Sequence, residues 1–378
     1  MKVIITADWH AGVPRKLSYT LWAARAIRRY AIQTGIKDVL ILGDLFHDRV
    51  NLNIEVLNAI YAFFEQDRVD PMSYSLTPDC GSNEKPGVQW YAFPGNHDMF
   101  LKNSWDIHSL KPLASLVIIQ PTIGKMSCCD SSGTQNFWII PFIYDEQQYM
   151  KELAAVEKKA KSGDILLTHI GVCGAKLNEC FLLKNWSFVN FDKTKFKLAF
   201  AGHFHCHQTV GNITYPGSPV AFRFDEGLVP HGFIVCDTDK MKWEFINIRS
   251  IGAEGEPPPL YLTVLDADAD KKPPEFFKGN NVRLILTKDY TKEDLSKLDK
   301  MARERGALGV SWIRPKEKDV EIEAARKSEV DMKTPEKLLE RWLEKEKPEG
   351  LNYKILAKLN AQIIAEAEER ISVQISED

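Results

Sequence analysis

The sequence predicts a layered α/β fold, followed by a small second α/β unit and charged C-terminal helices. Three observations predict it. Residues 1–250 alternate short apolar runs with stretches of helical periodicity, the pattern of strands covered by helices. Five of those runs, at 3–6, 39–42, 89–93, 165–167 and 198–201, each lead into a short polar motif. Beyond Pro315 the composition shifts: 28 of the last 64 residues are Asp, Glu, Lys or Arg, too many for an independent core.

Taken in order, residues 3–6 read as a buried strand. Residues 18–35 read as a helix, with Leu21, Ala24, Ile27, Ala31 and Ile32 on its apolar side and Gly35 as its stop. The continuous apolar run at 39–42 marks a strand covered on both faces. Residues 54–66 form a second helix after a polar entry at Asn51-Leu52-Asn53, and 71–87, rich in Ser, Pro, Asp and Gly, form a surface loop. Residues 232–237 and 241–248 read as a hairpin around Thr238-Asp239-Lys240. A linker at 254–259 contains three consecutive prolines. After it, strands at 260–265, 281–287 and 307–313 and a helix at 292–305 make the second unit, too small to carry a large core alone. Helices at 335–347 and 351–371 close the chain. The second sets Leu351, Ile355, Leu359, Ile363, Ala367 and Ile371 at steps of four, an apolar stripe that needs a partner surface.

At 378 residues the chain exceeds one ordinary domain. A formal charge of −3 and a pI near 6.3 exclude a broadly basic coat, though not a local phosphate-binding patch. No apolar run is long enough to span a membrane, and the chain enters its first strand with no signal-like segment, so a cytoplasmic protein is expected. Seven cysteines without zinc-finger spacing fit a reducing compartment. Cys206, between two histidines, is expected to be a thiol on the non-ligating side of its turn, since thiolates favour closed structural zinc sites.

The polar motifs read Asp8-Trp9-His10, Gly43-Asp44, Gly95-Asn96-His97-Asp98, Thr168-His169 and Gly202-His203-Phe204-His205. In an open α/β sheet, loops at the carboxyl ends of the strands converge on one edge. Asp8, His10, Asp44, Asn96, His169, His203 and His205 can therefore meet. Two carboxylates, an amide and four imidazoles suit a pair of divalent ions such as manganese, iron or zinc. Two such ions serve phosphoryl chemistry by clamping the attacking and leaving oxygens. They need a bridging carboxylate, and Asp44 is the choice, because Gly43 before it allows close backbone approach. His97, adjacent to Asn96, is assigned to protonating the leaving oxygen, with Asp98 as its orienting partner. His108, His207 and His231 are left as structural or solvent-exposed. Arg15, Lys16, Arg25, Arg28 and Arg29 are candidate phosphate contacts, with solvated helix charges as the competing reading.

In this order the motifs resemble those of the calcineurin-like metallophosphoesterases over residues 1–250. Gly43-Asp44-Leu45-Phe46-His47 with Asp48-Arg49 is similar to the second motif of the SbcD nuclease family, and Tyr215-Pro216-Gly217-Ser218-Pro219 ahead of Phe224-Asp225-Glu226 is similar to its segment after the last metal motif. The resemblance implies a metallophosphoesterase sandwich at 1–253, a capping domain at 260–314, and a charged linker with ATPase-binding helices at 315–378. It implies Asp8, His10, Asp44 and His205 around one ion, and Asp44, Asn96, His169 and His203 around the other, most simply manganese. It makes His97 the catalytic histidine and His47 a histidine used near the DNA end. The implied activity is a DNA exo- and endonuclease working with an SMC-like ATPase of the SbcC type in DNA repair, as a homodimer. Two other readings stay open: a phosphatase or phosphodiesterase for a small-molecule or protein substrate, and a non-enzymatic scaffold for the ATPase.

Overall fold

The computed structural model describes residues 1–67, 87–101, 104–130, 133–178, 181–182, 194–227 and 229–314. The loop expected at 71–87, except its last residue, and the helices expected at 335–347 and 351–371 lie outside the described residues.

Strands β1 (Lys2–Thr6), β2 (Asp38–Ile41), β3 (Gln89–Ala92) and β4 (Ile118–Ile119) run parallel in one sheet. A second sheet contains the hairpin β5 (Gly124–Asp130) and β6 (Gly133–Ile140), then β7 (Ile165–His169). After the small hairpin β8 (Lys176–Asn178) and β9 (Phe181–Leu182) come β10 (Ala199–Gly202), β11 (Gln208–Val210) and β12 (Ile213–Tyr215). The chain then returns to the first sheet as the hairpin β13 (Gly232–Asp237) and β14 (Lys242–Asn247). The orders are β14-β13-β1-β2-β3-β4 and β11-β12-β10-β7-β6-β5. The five motif-bearing strands therefore divide between two sheets, three and two, rather than sharing one. Periodicity reports that a strand is covered on both faces; it does not report which neighbour covers it.

Alternation along the strands explains the layers. Ile4, Val39 and Ile41 face outward onto helix α1 (Leu17–Thr34), through Trp22, Ala23 and Ile27, and onto α2 (Ile54–Glu65), through Val56, Ile60 and Phe64. Val3, Ile5 and Leu40 face inward and pack with Phe137, Leu167 and Phe200 of the second sheet. The outer face of that second sheet, including Leu166 and Ala199, is covered by Tyr149, Leu153 and Val156 of α3 (Glu146–Lys159). Local chemistry sets the ends. Gly35 stops α1 with φ of 70°. Asn53 and Asp145 cap α2 and α3 by accepting from the backbone N–H groups of Glu55 and Gln148.

Strands β15 (Tyr261–Leu265), β16 (Asn281–Ile285) and β17 (Gly309–Ile313) form a separate parallel sheet. The helix Lys292–Glu304 joins its core, which includes Val264, Phe277, Val282, Leu284 and Ala302. This sheet meets the loop that carries Phe224: the ring of Phe224 meets Tyr261 edge-on at 5.1 Å, and the Arg283 guanidinium lies 4.2 Å from the Phe224 ring centre. Among the described residues, no helix is long and apolar enough to cross a membrane.

Candidate metal centre

The seven predicted donors come together where the carboxyl ends of β1, β2 and β3 meet those of β7 and β10. Past β1 and β2 the backbones stay joined, with His10 N–H donating to the Asp44 carbonyl at 3.0 Å and Ala11 N–H to Leu45 at 2.8 Å. Asp8, His10, Asp44 and His203 have φ of 54°, 45°, 52° and 109°. Non-glycine residues seldom adopt this region, and they persist there only when the surroundings hold them. Four such residues in one place mark a site that the fold strains into shape. Gly95 is required by proximity: a Cβ there would lie 2.2 Å from Asp44 Oδ1.

Asp44 sits between two groups of donors. Its Oδ2 is 3.4 Å from His169 Nε2 and 3.8 Å from His10 Nε2, while its Oδ1 accepts the His97 backbone N–H at 2.7 Å. On one side, His10 Nε2 and His205 Nε2 face each other at 2.9 Å beside Asp8. On the other, Asn96 Oδ1 lies 3.0 Å from His169 Nε2 and 2.9 Å from His203 Nδ1. Asp8 holds the two sides together by accepting the His203 backbone N–H. Outer contacts aim two of the rings. His169 Nδ1 is held by the Leu42 carbonyl at 2.8 Å and His205 Nδ1 by Glu226 Oε1 at 2.7 Å, which leaves both Nε2 atoms facing inward. Ring nitrogens facing one another and a shared amide oxygen are donor atoms that converge on the same spaces, which is what a cation would satisfy. Nitrogen and oxygen donors without sulfur fit divalent transition ions. Cys206 is buried and is not among the converging groups found in the described residues.

Burial and neighbouring charges shift the protonation of this set. Burial alone would raise the Asp44 carboxyl, but the neighbouring His169, His10 and His97 rings overcome it and hold it far below the usual range. Burial works against a charged His169, yet Asp44 pushes it up to about 9. Burial pushes Asp8 up to about 7 and His203 down to about 3. Ions entering such a set displace protons, so affinity should rise with pH.

His97 and His47 flank the donors. Their rings stack with centres 5.5 Å apart, and the His97 ring meets His10 edge-on at 4.8 Å. Asp98 does not orient His97, contrary to the sequence expectation. Its buried carboxylate accepts the backbone N–H groups of Gly95, Phe46 and Leu45 and the Ser109 hydroxyl, and so ties the loops of Asp44 and Asn96 together. The ring of His97 is held by the backbone carbonyl of His47 instead. Of the candidate phosphate contacts, Arg28 is engaged by Asp67 at 2.8 Å, and Lys16 bonds the Phe222 carbonyl. His207 stacks on Phe245, and His231 is held by the backbone carbonyls of Ser218 and Glu226. Glu226 is the functional residue that sequence reasoning missed. It stands in the segment that resembles the one after the last metal motif, but as part of a charged turn, where a solvated acid is the ordinary expectation.

Residues 1–207 match the family described as calcineurin-like phosphoesterase. The chain is 23% identical over 261 residues to exonuclease subunit 1 of Enterobacteria phage T4, covering 65% of this chain and 67% of that one. Among solved structures it is similar to GAP50, the anchor in the inner membrane complex of Plasmodium, at 11% identity and a TM-score of 0.39, over 65% of this chain and 88% of that one. It is also similar to a putative 5'-nucleotidase from Staphylococcus aureus, at 11% identity and a TM-score of 0.38, over 80% of this chain and 58% of that one.

Proposed function

We propose a nuclease function on this premise: the chain belongs to the calcineurin-like phosphoesterase family. Its chemistry is hydrolysis of phosphoester bonds, in a family that uses divalent metals. The proposed substrate is DNA, cleaved as an exo- and endonuclease in repair, recombination or replication, together with an SMC-like ATPase of the SbcC type. The observation that carries the reading is the convergence of all seven donor residues, Asp44 among them, in one place. Asp8, His10, Asp44 and His205 would hold one ion, and Asp44, Asn96, His169 and His203 a second. Two bound manganese ions would supply Lewis-acid polarisation of the phosphodiester and a nucleophilic water. His97, protonated on Nε2 as well as on Nδ1, would hand the Nε2 proton to the leaving oxygen, since its Nδ1–H is held by the His47 carbonyl. His47, half-buried and stacked on His97, would act near the DNA end, as the family resemblance implies. Asp98 keeps the loops of Asp44 and Asn96 in register.

The likeness to the phage exonuclease subunit supports DNA over a small phosphate ester. So does the small sheet β15–β17, in the role of a capping domain, and so do the apolar stripes expected at 335–371 in the role of ATPase-binding helices. The deciding experiment supplies manganese with duplex DNA or a chromogenic phosphodiester, with and without an SMC-like ATPase. Cleavage of DNA, stimulated by the ATPase, is expected. Turnover of the small ester alone would favour a phosphodiesterase, and no turnover of either would favour a scaffold.

A further inference from the structure

We propose that Glu226 is a positioning residue that fixes His205 for metal binding, and that the β15–β17 sheet holds Glu226 in place through Phe224. The inference rests on the metal-centre reading above. The Glu226 side chain is almost wholly buried, and both of its oxygens are engaged. Oε1 accepts from His205 Nδ1 at 2.7 Å and from Arg223 Nε and Nη2 at 3.1 and 3.0 Å. Oε2 accepts the Phe222 backbone N–H at 2.7 Å. A carboxylate that only accepts fixes the His205 proton on Nδ1, and so turns the lone pair of Nε2 inward. A second anchor holds the same histidine: the Ser218 backbone N–H donates to the His205 carbonyl at 3.0 Å.

The turn carrying Glu226 is the one that the small sheet touches. Phe224 lies between the Tyr261 ring of β15 and the Arg283 guanidinium of β16. Beside it, Gly227 lies so near the Tyr261 carbonyl that a Cβ there would be 1.9 Å from the oxygen. Lys16, from the loop before α1, spans the same junction, bonding the Phe222 carbonyl and lying 5.2 Å from the Tyr261 ring centre. A continuous path therefore runs from the β15–β17 sheet through Phe224 and Glu226 to His205. Removing the cap-side contact should act on the metal without touching a donor.

The test is calorimetric titration of manganese into the full chain, with melting of the metal-free protein alongside. In Glu226→Leu the acceptor of the His205 Nδ1–H is removed, along with that of the Phe222 N–H. One of two ions should weaken by ~10–100-fold. The ion assigned to Asn96, His169 and His203 should bind as in the wild type, while the lost acceptor of the buried Phe222 N–H lowers the metal-free melting temperature. Phe224→Ala should weaken the same ion to a smaller degree. A measurement on the unaltered protein does not depend on how the variants fold: in the zinc-loaded form, the His205 Nδ1–H resonance should be present and protected from exchange. Wild-type affinity for both ions in Glu226→Leu, equal loss of both, or an exchanging Nδ1 in His205 would overturn the role of Glu226. Unchanged affinity in Phe224→Ala would overturn the part given to the small sheet. A wild type that takes up no manganese or zinc would instead overturn the metal-centre reading itself, and this inference with it.

Discussion

The Nδ1 atom of His97 lies 2.7 Å from the backbone carbonyl oxygen of His47. A carbonyl can only accept, so in this contact the ring carries a proton on Nδ1, and Nε2 is the nitrogen left for chemistry. Replacing His97 by alanine removes that nitrogen and leaves all seven proposed metal donors in place. His97→Ala should keep two ions and its fold while hydrolysis falls by ~10²–10⁴-fold. Metal analysis paired with rates on duplex DNA checks this, and wild-type rates would sink the proton-donor role.

Asp44 should act on both ions at once. Its Oδ2 is within 4 Å of His169 on one side and His10 on the other, at 3.4 and 3.8 Å. Asp44→Ala should therefore lose both ions rather than one. Two tightly held ions in metal analysis of that variant would show that the bridge is another residue.

A buried acid away from the centre sets a pH dependence of stability. Asp38, at the start of β2, accepts the Tyr91 hydroxyl at 3.1 Å, and burial pushes its carboxyl up to about 6 from its ordinary 3.8. The folded chain thus binds this proton more tightly than the unfolded chain does. Its contribution to stability is full below pH 4 and is lost as pH rises through about 6. Above that, keeping the carboxylate ionised costs about 2–3 kcal/mol. Asp38→Asn retains an acceptor for Tyr91 and removes that cost. Its melting temperature should exceed the wild type by about 5 °C at pH 8 and match it at pH 4. An equal difference at both pH values would show that the effect is packing and not ionisation.

The charged C-terminal segment should dock the ATPase and be dispensable for the chemistry. Its expected stripes, Leu338, Leu339, Trp342 and Leu343, then Leu351, Ile355, Leu359, Ile363 and Ile371, suit an apolar groove. Truncation after Pro315 should leave manganese-dependent cleavage of a small phosphodiester largely intact while abolishing co-purification with an SMC-like ATPase. Replacing Leu359 and Ile363 together by Glu should reproduce the loss without changing metal content. Normal ATPase binding by the truncated chain would place the docking site elsewhere.

The donors were legible because each follows an apolar run, so Asp8, Asp44, Asn96, His169 and His203 could be placed at strand ends before any fold was known. What could not be read was side-chain direction. Asp98 is adjacent to His97 in the chain, yet its carboxylate turns toward the backbone of Phe46 and Gly95. Glu226 is 21 residues from His205 and meets it only because the chain folds back after β12. The hairpin β5–β6 and helix α3 also went unread. β5 is a sheet edge with alternate residues exposed, and α3 buries only Tyr149, Leu153 and Val156, too short a stripe to stand out among charges.

Four donors ride on one sheet and three on the other, so the spacing of the centre is set by the layer between them. That layer acts as a gauge block. A slip of one residue along a strand is about 3.3 Å, as large as the separations among the donors themselves. Val3, Ile5, Leu40, Phe137, Leu167 and Phe200 therefore govern alignment as well as stability. Wear in this spacer, such as a cavity left by Phe200→Ala, would put the two halves out of true while each sheet stayed folded. The protein would then lose its chemistry by misalignment before it lost its shape.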